Sequence, residues 1–107
     1  MKLKEVLKLP GVVAAAKFTP KGELDSYKGE ISEKDARLAA QMCASNSVLM
    51  QTQARLFAEY SQQPEWRSYQ GWTMLGAQVG VMVVGDTLCL LDRQEASIND
   101  LMATLGD

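Results

Sequence analysis

The stretch VGVMVVGDTLCLLD, residues 79–92, decides the fold. Two apolar runs, 79–84 and 87–92, are separated only by Gly85-Asp86. Two residues of that type between apolar runs specify a hairpin with a primed turn. The runs carry little polar alternation, so the hairpin is expected to be buried on both faces. The rest of the chain has to cover it twice.

Towards the C-terminus, Ser97 caps INDLMATLG, a short amphipathic helix with Ile98, Leu101, Met102 and Leu105 inward and Gly106 as its C-cap. Upstream, WRSYQGWTMLG (66–76) is aromatic-rich and reads as a further strand. On it Trp66 and Trp72 share one face and Tyr69 points to the other. Between residues 33 and 62 there is no Gly or Pro, and Pro64 closes the segment. Ser32 caps it as a long helix, with Glu33 and Asp35 in the first turn where the helix dipole favours acids.

GVVAAAKF (11–18) suits a helix or a buried strand. The Pro20 and Gly22 turn that follows, and the alternating ELDSYKG (23–29), make the pair a hairpin. KLKEVLKL (2–9) places Leu3, Val6 and Leu7 at helical spacing and stops at Pro10-Gly11. The order is helix, two strands, long helix, three strands, helix. It predicts an α+β fold in a single domain, residues 1–107. A five-stranded antiparallel sheet carries the long helix on one face and the terminal helices on the other.

Composition excludes several functions. A net charge of −2 leaves no electrostatic footprint for nucleic acid or an anionic membrane. The basic start is interrupted by Glu5, Lys8 and Pro10, unlike a signal peptide, and no run is long enough to span a bilayer. A cytoplasmic protein is expected. There is no histidine and no CxxC, which argues against a metal site and removes the usual general base of hydrolases. Cys43 and Cys89 sit among apolar residues and are expected to be buried. No glycine-rich phosphate loop occurs. Glu23 and Asp25 fall on an exposed strand face, and capping accounts for Glu30, Glu33 and Asp35. No catalytic residue and no cofactor is assigned, and the chain is not expected to be an enzyme.

The long helix carries more apolar surface than one sheet can use. On a wheel at 100° per residue its charged and amide residues, Arg37 and Arg55 among them, gather on one side. Two apolar stripes remain. One has Leu38, Met42, Leu49, Leu56 and Tyr60; the other has Ala36, Ala39, Ala40, Cys43, Met50, Ala54, Phe57 and Ala58. Asp35, Asn46 and Gln53 run between them. The small-residue stripe is expected on the sheet, where it permits close approach to Ala14–Ala16. The stripe of larger residues is expected against a second copy of the helix, with Asn46 and Gln53 setting register near the seam. The expected dimer interface is therefore Met42, Asn46, Leu49, Gln53, Leu56 and Tyr60, joined by Trp66 and Tyr69, since Trp and Tyr are enriched at interfaces.

Particular residues also carry a family likeness. KLPGVVAAA (8–16), F-x-x-x-G-x-L-x-x-Y-x-G (18–29), M-C-A-x-N (42–46), Gly71-Trp72 and the closing Leu101, Leu105, Gly106 and Asp107 resemble the roadblock (dynein light chain-like) domain. More closely they resemble a small uncharacterised bacterial family of stand-alone members of that group. The likeness covers essentially the whole chain, and its motifs are structural punctuation rather than chemistry. It implies a profilin-like sandwich that forms homodimers, with long helices packed together and third strands pairing into one sheet. It further implies an interaction platform or scaffold, with a small GTPase as a partner class. The alternative is a small-molecule-sensing domain, since PAS and GAF domains use related sheets.

Overall fold

The computed structural model describes residues 1–106, so Asp107, the last residue of the family pattern, lies outside the described residues. The quoted stretch forms β4 (Val79–Val84) and β5 (Thr87–Asp92), antiparallel, with Val84 opposite Thr87. Gly85 supplies the turn's positive φ of 61°, and Asp86 stays out of the positive region. That combination is a type II′ turn, whose twist matches the flanking strands.

The sheet is completed by β1 (Val12–Phe18), β2 (Leu24–Gly29) and β3 (Gly71–Leu75), in the order β2-β1-β5-β4-β3. All pairs are antiparallel. The sheet is covered on both faces, as the apolar hairpin requires. On one face Leu3 and Val6 of α1 (Leu3–Val6) and Leu101 of α3 (Ile98–Leu105) pack with Ala15, Met82, Cys89 and Leu91. On the other, Ala40, Cys43 and Ala44 of α2 (Glu33–Ser61) pack with Ala16, Phe18, Val83 and Leu88. Burial on both faces holds for β5 but fails at the start of β4. Val79 is exposed there beside Met74 and Leu75, where the helices stop short of the sheet's corner.

Caps set the helix ends. Ser32 Oγ accepts from the Asp35 N–H at 3.1 Å, and Ser97 Oγ accepts from the Asp100 N–H at 3.3 Å. Gly106 closes α3 in a right-handed conformation, its N–H bonded to the Met102 carbonyl, rather than in the left-handed one common for glycine caps. The first helix is shorter than its apolar spacing predicts. After Val6 the bonds tighten to three-residue spacing, Lys8 to Glu5 and Leu9 to Val6, ahead of Pro10.

The largest difference from the sequence reading lies at residues 66–70. Gln62 takes a left-handed conformation (φ 57°) and Pro64 opens a 3-10 turn over Pro64–Arg67. Proline is favoured at the first position of such a turn because it has no N–H to satisfy. Trp66 therefore belongs to a helical turn, and the strand begins only at Gly71. Alternation counted from Trp66 does not carry across this break. Trp72 faces α2, donating Nε1–H to Ser47 Oγ at 2.9 Å, and Tyr69 packs against the same helix beside Ser47. Gly71 is glycine for a local reason: a Cβ there would run into the Val83 carbonyl across the pair. The Gly71-Trp72 motif thus lets β3 close on β4 and pins it to α2.

Trp72→Phe removes the Nε1 donor and is expected to cost about 1 kcal/mol, since a buried hydroxyl loses one partner. Urea melts read it as a shift in midpoint at constant slope. An unchanged midpoint would contradict the tie.

Cys89 is fully buried, and burial pushes its thiol up to about 12, with Cys43 up to about 11. Only the thiolate attacks disulfide reagents, and a raised pKa keeps the group protonated at pH 8. Native Cys89 is expected to react on the order of a hundredfold slower than in denaturant. Equal rates in Ellman's assay would mean that β5 is not the central strand.

Candidate functional site

The two stripes of α2 occupy opposite environments. Ala36, Ala40, Cys43, Ala44, Ser47, Ala54 and Ala58 are buried, and none is larger than cysteine. Small side chains let the helix axis lie close over the sheet, as expected. The larger stripe stays in solvent: Met42 is 66% exposed, Leu49 54%, Leu56 58% and Tyr60 93%. On the wheel Leu49 sits about 180° from Ala40. This side therefore points away from the sheet. From Leu38 to Tyr60 the stripe runs roughly 33 Å at the rise of an α-helix. Exposed apolar patches of this extent are a common feature of interaction surfaces.

Asn46 is half-buried and Gln53 exposed, both on the edge of this stripe. Trp66, in the connection that doubles back along α2, stacks on Phe57, ring centroids 5.2 Å apart and planes at 29°. Phe57, which the wheel assigns to the sheet, is instead 53% exposed, because α2 overhangs the sheet at this end and meets the 3-10 turn. Tyr69 is half-buried on the sheet side of the helix, apart from the Met42 to Tyr60 stripe. Its hydroxyl oxygen is buried without a hydrogen-bond partner. Burial raises the phenol's pKa, tempered by the nearby Ser47 hydroxyl.

Val48, on the helix flank, and Met74 and Leu75, on β3, are further exposed apolar residues outside both stripes of the wheel. Their signal was available in the sequence, since β3 carries no charged residue whereas the opposite edge strand, β2, carries Asp25 and Lys28. Charged side chains on an edge strand block pairing with another chain, and their absence leaves an edge open to it.

Among the described residues no group of three or more Cys, Asp or Glu gathers as a metal site would require. The titratable groups that burial shifts, Cys43, Cys89 and Tyr69, are separate and have no acid–base partner beside them. No helix among the described residues is long and apolar enough to cross a membrane.

A sheet in this order, with a long helix on one face, short terminal helices on the other and an exposed outer stripe, can be set beside known proteins. A family described as an uncharacterized conserved protein (DUF2173) matches residues 2–107. The chain belongs to the DUF2173 family. No curated protein matches this DUF2173 chain. Among solved structures it is similar to the gliding protein MglB of Thermus thermophilus, at a TM-score of 0.76 and 17% identity over 98% of this chain and 80% of that one. A roadblock/LC7 domain from Streptomyces avermitilis superposes at 0.70 with 13% identity, over 97% and 88% of the two chains. MglB of Myxococcus xanthus gives 0.67 with 17% identity, over 90% and 78%. The fold of this DUF2173 member is thus the roadblock/LC7 fold. The PAS or GAF-like alternative gains no support from these likenesses.

The family's characteristic residues now have positions. Phe18 of β1 meets Cys43 and Ala44 of α2 on one face of the sheet, Leu101 of α3 packs on the other, and Gly71 and Trp72 fix β3. These residues hold the sandwich together, whereas Met42 and Asn46 of the same pattern lie on the outer stripe and at its edge.

Proposed function

We propose that the protein is a non-enzymatic homodimeric interaction platform, with a small GTPase as the partner class. The observation that carries this reading is the outer stripe of α2, where large apolar residues face away from a sheet already covered by small ones. In the dimer, Met42, Leu49, Leu56 and Tyr60 of two copies pack across a two-fold axis. Asn46 and Gln53 border the seam and set register. Trp66 widens the surface on the Phe57 side of the helix, and Tyr69 stiffens the connection behind it. The uncharged β3 edge supports pairing of third strands into one continuous sheet. Burying half-exposed side chains of this size contributes about 1 kcal/mol each.

Two copies side by side double the exposed surface that a partner can engage. One of the similar MglB structures is described as having a tetrameric arrangement (20% identity, TM-score 0.75), an assembly property of that protein. The partner class comes from the roadblock likeness. Its test is capture from the native cell with mass spectrometry, comparing wild type with a Leu49→Asp variant. A small GTPase retained by the wild type and lost with the variant is the expected result. Equal retention by both would show that the partner does not use the dimer.

A further inference from the structure

On the flank of α2 that turns away from the outer stripe, a cleft of about 470 Å³ opens between the helix and the connection leading to β3. Its wall on the helix side carries Gln51, Thr52 and Arg55; the other wall carries Trp66, Arg67 and Tyr69. The chain as a whole has 13 acidic residues against 11 basic ones, yet both charged residues lining this cleft are arginines and no acid lines it. The salt bridge found among the described residues, Glu33 with Arg37, lies elsewhere, so neither Arg55 nor Arg67 has an acidic partner there. Thr52 is held in place by donating to the Val48 carbonyl at 3.1 Å. Trp66 is fixed by its stack on Phe57.

We propose that this cleft binds a small phosphate monoester with an aromatic body, the phosphate held by Arg55 and Arg67 and the ring lying against Trp66 and Tyr69. Two guanidiniums match the charge and planar acceptor geometry of a phosphate dianion, each giving paired charge-assisted hydrogen bonds. The Gln51 amide supplies a further donor at the rim. Aromatic walls select an anion with a ring over inorganic phosphate, because stacking adds area that the bare ion lacks. The cleft has no glycine-rich backbone cradle, so binding is expected to be saturable but weaker than that of a P-loop. Arg55 lies about 120° around the helix from Leu49. Dimerisation through the outer stripe therefore leaves the Arg55 wall uncovered, and Trp66 is the one residue shared between the cleft and the proposed dimer surface.

Titration of the full-length protein with phenyl phosphate, followed by calorimetry and by the Trp66 indole N–H resonance, tests this at low salt. Inorganic phosphate and benzyl alcohol serve as the two half-ligands. Expected is saturable binding of phenyl phosphate tighter than either half. Arg55→Gln and Arg67→Gln should each weaken it about tenfold, the loss of a charged hydrogen-bonding pair. Both arginines are exposed, so the variants should melt as the wild type does. Arg55→Lys keeps the charge without the fork and should fall between. Binding should persist in Leu49→Asp, which separates this site from the dimer. No saturable binding, or binding unchanged in the Arg55→Gln/Arg67→Gln double variant, would overturn the proposal.

Discussion

Leu49→Asp is expected to give a folded monomer. Leu49 is 54% exposed on the outer stripe of α2, far from the sheet, so a carboxylate there keeps its hydration in a single copy. At a two-fold interface the same substitution places an unpaired charge from each copy in apolar surroundings. Breaking such an environment costs about 3 kcal/mol per charge. With two charges per interface the dissociation constant rises by a factor on the order of 10⁴. The melting curve of the variant, followed by circular dichroism, should remain cooperative, with the monomer mass seen by light scattering. Loss of the fold would show that Leu49 supports the core of its own chain.

Ala40→Asp is expected to do the reverse. Ala40 is 0% exposed and packs in the cluster with Ala16, Phe18 and Leu88. A carboxylate there is both too large for the gap and cut off from water. The expected loss is about 4 kcal/mol or more. Small domains hold only about 5–15 kcal/mol in total. The variant should therefore melt roughly 15 °C or more below the wild type, or fail to fold at physiological temperature. Should Leu49→Asp unfold the chain while Ala40→Asp merely separates copies, the two stripes are assigned the wrong way round.

Ala40, and not Met50, is the core probe because of what the sequence could and could not disclose. The hairpin around Gly85-Asp86, the Ser32 and Ser97 caps and the two-stripe pattern of α2 were legible because each rests on local chemistry: a turn dipeptide, a hydroxyl before a helix, a fixed pitch. The ends of β4, β5 and α3 follow from the same signals. The wheel groups Met50 and Phe57 with the sheet stripe, yet Met50 is only half-buried and Phe57 is exposed. A wheel gives direction around the helix but not where the sheet beneath it ends. α2 runs past that end, so its last turns meet the 3-10 turn and not a strand.

The segment 66–70 departs from its strand-like composition for a related reason. Trp and Tyr suit a strand by propensity, but the left-handed Gln62 and the position of Pro64 fold the chain into a 3-10 turn before β3 begins. Propensity is overridden there by turn chemistry. The tie between Trp72 and Ser47, 25 residues apart, is a long-range pairing that no local pattern reveals. The cleft between Arg55 and Arg67 is likewise a product of the chain doubling back, invisible while the two arginines stand 12 positions apart in sequence.

The most direct test of the proposed function is the mass of the wild-type protein in solution. Light scattering behind a size-exclusion column, across dilution from high to low micromolar concentration, should return twice the 11.7 kDa of one chain. A mass of one chain throughout that range would contradict the account, because the outer stripe of α2 would then face water with nothing to cover it.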